Sequence, residues 1–306
     1  MVHIELLANM STMTFSTFIM YKGNLMTKYI MTTESADQIG IVAALSTCLS
    51  QHDGFIIELA QFGTHDSERF YSRIEFIMAP SILSHFQKNI DVVAEQLNLS
   101  ITIIHKSQKT KTLIMVSKFD HCLADLLYRR SNGSLNIDVT AIASNHEVTR
   151  HHAEKAGLPF HFIPITKDTK AEAENNLREL VTRTGTELIV LARYMQILTD
   201  SICKEYSGQI INIHHSFLPS FKGAKPYHRA YDLGVKLIGA TAHYVNADLD
   251  EGPIIEQTVK RVDHTMQPEK LIALGRDVEA QTLARAVELH TEHRSFINGR
   301  KTVILP

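Results

Sequence analysis

The chain is short of most features that would take it outside the ordinary globular class. Neither charge predominates: 31 basic residues stand against 33 acidic ones, for a formal charge of -2. That leaves no basic footprint for nucleic acid and no acidic tail seeking a basic partner, so a small-molecule substrate is expected. The three cysteines, Cys48, Cys122 and Cys203, are far apart and form no CxxC pair. They exclude a disulfide framework or a cysteine-held zinc and read as reduced packing thiols of a cytoplasmic protein. No stretch reaches the roughly 18–20 uninterrupted apolar residues of a membrane helix, so no membrane partner is expected. Residues 1–25 carry Glu5 and lack the basic start of a signal peptide. Repeats and low-complexity tracts are missing as well, which excludes solenoids and disordered linkers.

What is present is an apolar content of 44% over 306 residues, enough for one small domain and one large. Residues 1–25 read as a weakly structured extension. From 26 to 105 the pattern runs strand, helix, strand, strand, helix, strand, an N-terminal ferredoxin-like split βαβ sandwich. The basic, apolar-poor KSQKTK stretch at 106–111 marks a linker. Beyond it, 112–306 alternates strands and helical patterns, which predicts an α/β domain with a doubly wound, mostly parallel sheet. Two strand patterns at 237–245 and 254–262 are close enough to form an antiparallel pair added to that sheet. Asn298-Gly299 near the C-terminus signals a hairpin.

Two segments carry chemistry. In QIINIHHSFLP (209–219) Asn212 and His214 are two apart, so a strand points both to one face. Ligands of open α/β sheets bind beyond strand carboxyl ends, where His214, His215 and Ser216 fall. By themselves an Asn and a His there are structural more often than catalytic. In GATAHYVNADLDEGPIIEQ (239–257) a polar loop holds Asp250, and a lone Asp in a turn commonly just satisfies backbone amides. Together, however, the segments supply an amide, an imidazole and a carboxylate. Attack on a formyl carbon needs a donor for the oxyanion, a proton carrier that works near neutrality for the departing nitrogen, and a carboxylate to steady the imidazolium and hold water. Asn212, His214 and Asp250 fit these roles in that order.

The motifs NIHHSFLP and LDEGPI resemble those of the formyltransferase-type fold of glycinamide ribonucleotide transformylase and methionyl-tRNA formyltransferase. The resemblance covers residues 111 to the end and implies that Asn212, His214 and Asp250 are the catalytic residues. It further implies a folate pocket lined on one side by Met195, Gln196, Ile197 and Leu198 and closed on the other by Val245, Asn246, Ala247 and Asp248. His243, His215 and Ser216 are expected to support the centre. The transformylase's Gly-rich phosphate loop is replaced here by Ser117-Lys118-Phe119-Asp120-His121-Cys122, without glycine, which disfavours a phosphorylated acceptor. The tRNA-binding domain is missing too, and with both acceptors disfavoured water remains.

Asp37-Gln38-Ile39-Gly40-Ile41-Val42 resembles the first strand-helix turn of an ACT domain, implying an amino-acid effector near Asp37 and Gly40, where glycine would allow close backbone approach. ACT domains pair with one another, so a homo-oligomer is expected. ACT domain, HHSFLP and GAKPYHRAY together resemble the formyltetrahydrofolate deformylase family. This implies hydrolysis of 10-formyltetrahydrofolate as substrate, with no metal and no organic cofactor, supplying formate for purine synthesis and balancing folate pools. Transfer to an amine acceptor such as glycinamide ribonucleotide is the alternative. The 17 histidines invite a metal, but His146-Glu147 with His151 spells HExxxH, not the zincin HExxH. His151, His152, His290 and His293 read as solvated.

Overall fold

The computed structural model describes residues 18–21, 24–64, 66, 68–166, 168–216 and 226–306. The chain falls into two compact units. One comprises 1–108 with 292–298 and 303–306, the other 109–291 with 299–302.

The first unit runs β1 (Phe18–Tyr21), β2 (Asn24–Ala36), α1 (Ile41–Gln51), β3 (Phe55–Gly63), β4 (Arg69–Met78), α2 (Pro80–Leu97) and β5 (Ser100–His105). All pairings are antiparallel: β4 lies between β3 and β2, and β5 and β1 share the other edge of β2. This is the expected ferredoxin-like sandwich. Ile41, Leu45 and Leu49 of α1, with Phe86 and Ile90 of α2, bury the alternate residues Ile74, Phe76 and Met78 of β4. The helix turn needs Gly40 for its φ of 97°, not for close approach, since a Cβ there would meet nothing within 4 Å.

Three boundaries differ from the sequence reading, two of them in this unit. Strand structure begins before residue 26, because Phe18–Tyr21 pair with the start of β2; residues 1–17 and 22–23 lie outside the described residues. The C-terminal tail, expected to belong wholly to the second domain, packs largely with the first unit. The cause is Arg73 on the far face of β4, fully buried and therefore needing partners. Its guanidinium pairs with Glu58 at 3.1 Å and Glu75 at 3.5 Å and donates to the Glu292 carbonyl at 2.8 Å. Arg294 joins Glu58 at 3.0 Å, and Phe296 packs on Tyr71.

The second unit contains β6 (Thr110–Val116), α3 (His121–Ser131), β7 (Ile137–Ser144), α4 (Arg150–Lys155), β8 (Phe160–Phe162), α5 (Lys170–Thr184), β9 (Leu188–Leu191), α6 (Asp200–Glu205) and β10 (Ile210–His214). It continues with α7 (Pro226–Asp232), β11 (Leu237–Tyr244), β12 (Ile254–Arg261) and α8 (Pro268–Thr291). Strand β6 thus starts inside the stretch read as a linker. The C-terminal hairpin pairs β13 (Ser295–Asn298) with β14 (Lys301–Ile304) across Asn298-Gly299, as the sequence signalled.

The seven-stranded sheet has the order β12-β11-β10-β9-β6-β7-β8. The five strands from β10 to β8 are parallel, and the expected antiparallel pair β11–β12 is added at one edge. Chain order runs outward from β6 through β7 and β8, then returns to the other side with β9. The carboxyl ends of β6 and β9 therefore form a topological switch point, where open sheets bind ligands. One face packs on α3 and α8 through Ile114, Val190, Ile211 and Ile213, the other on α5 and α6 through Met115, Leu191 and Ile210. Asn212 and His214 continue the Ile210 row on that second face.

Candidate active site

Strand alternation alone puts Asn212 and His214 side by side, and the antiparallel register sets His243 of β11 opposite Asn212. The third group comes from the loop after β11, which folds back over this face. A Cβ on Gly252 would collide with the Tyr244 carbonyl oxygen, so a glycine is needed for so tight a return. Asp250 takes a φ of 58°, in the left-handed region, a costly conformation for a non-glycine residue and a frequent mark of functional sites.

That conformation brings Asp250 Oδ2 to 3.1 Å from His214 Nδ1 and Oδ1 to 3.7 Å from His243 Nε2. His243 donates its Nδ1–H to the Tyr244 carbonyl at 2.9 Å, which leaves Nε2 to accept from the Asn212 amide at 3.2 Å. One amide hydrogen of Asn212 is thereby used to fix its orientation, and the second is available to a ligand. Burial would raise the Asp250 carboxyl. The hydrogen bond from His214, with the His243 ring close by, outweighs it and holds the group well below the usual carboxylate range. Asp250 is therefore an anion at neutral pH. With Nδ1 of His214 committed to it, Nε2 is the free end of the ring, buried and without a hydrogen-bond partner among the described residues, which a native site rarely tolerates without a purpose.

The centre opens on a cavity of about 230 Å³. Its walls include Met195, Gln196, Ile197 and Leu198 on one side and Val245, Asn246, Ala247 and Asp248 on the other, together with Asn212, His214, His215, His243 and Asp250. The first wall is anchored at both ends. Ser117 Oγ accepts from Met195 N–H at 2.9 Å while donating to Asn145 at 2.7 Å, and the buried Glu174 accepts from Thr199 N–H at 2.8 Å. Ser216 supports from behind, its carbonyl accepting from the Thr241 hydroxyl at 3.0 Å. Asp37 and Gly40 belong to the other unit, at the β2–α1 turn.

Sequence reasoning missed a second polar cluster next to this centre. Glu279 of α8 is 2% exposed, and its carboxylate takes hydrogen bonds from His121 at 2.9 Å and the Tyr227 hydroxyl at 2.7 Å, with Arg193 Nε at 3.2 Å. Burial raises the Glu279 carboxyl, but His121, Arg193 and Tyr227 together bring it below the usual range. Arg193 also donates from Nη1 to His215 Nδ1 at 3.0 Å, and the His215 ring stacks on His214 with centroids 4.8 Å apart. A signal existed in the sequence: Gly275, Glu279, Thr282, Leu283 and Ala286 form one buried stripe of α8, and a carboxylate in such a stripe needs partners. Leu191, Tyr194, Cys203 and Leu249 were likewise missed as cavity walls.

Two groups of side chains have metal-ligand spacing among the described residues, His121-Cys122-Glu279 and Asp120-His151-His152. In the first, the Arg193 guanidinium already occupies the carboxylate and repels a cation. In the second, His152 is paired with Asp120 at 2.8 Å. His152 and His290 are thus not the merely solvated residues expected, since His290 Nδ1 pairs with the Tyr244 hydroxyl at 2.8 Å.

Residues 110–287 match the family model described as formyl transferase. The chain is 50% identical over 280 residues to a formyltetrahydrofolate deformylase of Corynebacterium sp. (strain P-1), covering 91% of this chain and 98% of that one. Its fold is similar to the crystal structure of the formyltetrahydrofolate deformylase from Burkholderia mallei, with a TM-score of 0.87 and 46% identity over 91% of this chain and 99% of the other. The glycinamide ribonucleotide transformylase 1 of Symbiobacterium toebii is more distant, with a TM-score of 0.60 and 27% identity over 65% of this chain and 95% of that one.

Proposed function

The chain belongs to the formyltetrahydrofolate deformylase family, and we infer from its geometry how it hydrolyses 10-formyltetrahydrofolate to tetrahydrofolate and formate. The observation that carries the mechanism is the 3.1 Å contact of His214 Nδ1 with the ionised Asp250, on the face where Asn212 lines the cavity.

The folate enters between the 195–198 and 245–248 walls and places its formyl carbon beside His214. Asp250, held as a carboxylate, is too weak a base to take the water proton itself. It steadies His214, whose Nε2 accepts the proton as the water oxygen attacks the formyl carbon. The tetrahedral oxyanion is met by the second Asn212 hydrogen. Collapse breaks the bond from carbon to N10 and the Nε2 proton passes to N10, so that tetrahydrofolate leaves with formic acid, which gives its remaining proton to solvent and departs as formate. The proton taken from water returns to N10 through His214, so the reaction as proposed needs neither metal nor organic prosthetic group.

The wider role rests on the product chemistry: formate for purine synthesis and a balanced pool of one-carbon folates. The ferredoxin-like topology of the first unit supports its reading as an ACT regulatory domain that takes an amino acid near Asp37 and Gly40 and pairs in a homo-oligomer. A cytoplasmic location is supported by three buried free cysteines; among the described residues no helix is long and apolar enough to cross a membrane. The reaction is tested by incubating the chain with 10-formyltetrahydrofolate and no acceptor. Formate release in step with tetrahydrofolate is expected, and turnover that begins only when an amine is added overturns hydrolysis in favour of transfer.

A further inference from the structure

Arg193 is the first residue after β9 and holds a φ of 63°, in the left-handed region that a long side chain rarely adopts. Its side chain is 11% exposed and its charge is answered by the buried Glu279. From there Nη1 reaches His215 Nδ1 at 3.0 Å. A guanidinium can only donate, so Nδ1 of His215 must be the acceptor and the ring must be neutral, with its hydrogen on Nε2. His214, stacked against it at an interplanar angle of 22°, carries the opposite tautomer, with Nδ1–H toward Asp250. Two adjacent imidazoles are thus held in different protonation patterns by two different ionic partners.

We propose that Arg193 is a positioning residue for the hydrolysis. By donating to Nδ1 of His215 it keeps that ring from acting as a second proton acceptor beside the reaction centre, so that His214 alone carries the proton between water and N10. The proposal rests on the hydrolase reading above. The groups that bear on His215 are Arg193 after β9, His214 on β10, Asp250 in the β11–β12 loop and Glu279 on α8, the last tied in turn to His121 and Tyr227. Burial, then the Arg193 charge, then His214 push the His215 pKa down to about 4, as the donor-only contact requires.

The test compares the parent chain with Arg193→Met, Arg193→Lys, His215→Asn and the Arg193→Met/His215→Asn pair, by pH profiles of kcat and KM for formate release. The histidine tautomers are read in parallel by nitrogen-15 NMR. For Arg193→Met the expectation is a kcat loss of about tenfold or more with KM changed less than about threefold, a size usual for the partner that orients a catalytic group. A new inflection should appear on the acid limb as His215 becomes protonated above pH 4. Arg193→Lys should recover part of the rate, and in the His215→Asn background Arg193→Met should add no inflection. A parental pH profile in Arg193→Met, the same inflection with His215 absent, or an Nδ1–H signal for His215 in the parent overturns the proposal. If Arg193→Met fails to fold, the Lys variant and the parent tautomer still decide it. Absence of formate from the parent would sink the hydrolase reading instead, while the tautomer measurement continues to judge Arg193.

Discussion

Two carboxylates, one half-buried and one fully buried, flank the same pair of stacked histidines, and they are held in opposite ways. Asp250 reaches its place through a strained turn, takes contacts from His214 and His243, and lines an open cavity. Glu279 sits on a regular helix, is 2% exposed, and has its oxygens taken by His121, Tyr227 and Arg193. Both stay ionised despite burial. On the proposed mechanism, the contrast separates a reactive carboxylate from a structural one. Charge is common to both, while only one has lone pairs left to offer a substrate and backbone strain invested in aiming them.

The strongest way to break this division is Asp250→Asn. The amide keeps the shape of the side chain but cannot hold an imidazolium, so kcat for formate release should fall by about 10³-fold or more, a far larger effect than that on the thermal midpoint. Activity within tenfold of the parent would remove Asp250 from the reaction. Glu279→Gln should do the reverse. It leaves the Arg193 charge buried without its counter-ion, an error that costs about 3–5 kcal/mol in other proteins. Chemical denaturation at pH 7 measures it, and a loss below 1 kcal/mol would show that the cluster is not the closed ionic lock described.

The same contrast explains what could be read in the sequence. Asp250, Asn212 and His214 lie in short motifs whose spacing alone puts them on one face or in one loop, so their meeting was legible before any coordinates. The pocket walls at 195–198 and 245–248 were legible through the family resemblance. Glu279 was not, because its partners His121, Arg193 and Tyr227 come from three distant elements, and no local pattern couples a helix-core glutamate to a loop arginine. The ferredoxin-like sandwich and the parallel sheet followed from periodicity. The tail's attachment to the first unit did not, since it depends on Arg73 being buried in the middle of β4, where alternation predicts only which face the side chain takes.

A third expectation concerns pH. His215 has its pKa pushed down to about 4 from an ordinary 6.5, so between those values the unfolded chain binds a proton that the folded chain refuses. Stability must then fall as pH drops from about 6.5 toward 4, and a shift of this size corresponds to about 3 kcal/mol. The depressed carboxyls of Asp250 and Glu279 act in the same direction, but lower: their contribution is present above the unfolded carboxylate range and is lost only as pH falls through it. Denaturation at pH 7 and pH 5 separates the two. His215→Asn should flatten the slope in this window, and an unchanged slope would mean that the ring is not held neutral.

The smallest expected effect tests the closed cluster at its edge. Tyr227 packs its ring on Gly275, where any Cβ would overlap it, and gives its hydroxyl to Glu279 at 2.7 Å. Tyr227→Phe keeps that packing and removes one of the two hydrogen bonds to the carboxylate, leaving His121 and the ion pair with Arg193. A lost hydrogen bond to a charged group costs about 1.5–3 kcal/mol. The value here should lie at the low end, because His121 and Arg193 still hold the carboxylate, and kcat should move by less than about threefold. Denaturation and turnover on the same sample provide both numbers. A rate loss approaching that of Asp250→Asn would mean that Glu279 takes part in the reaction, and the two carboxylates would then have to be treated as one site.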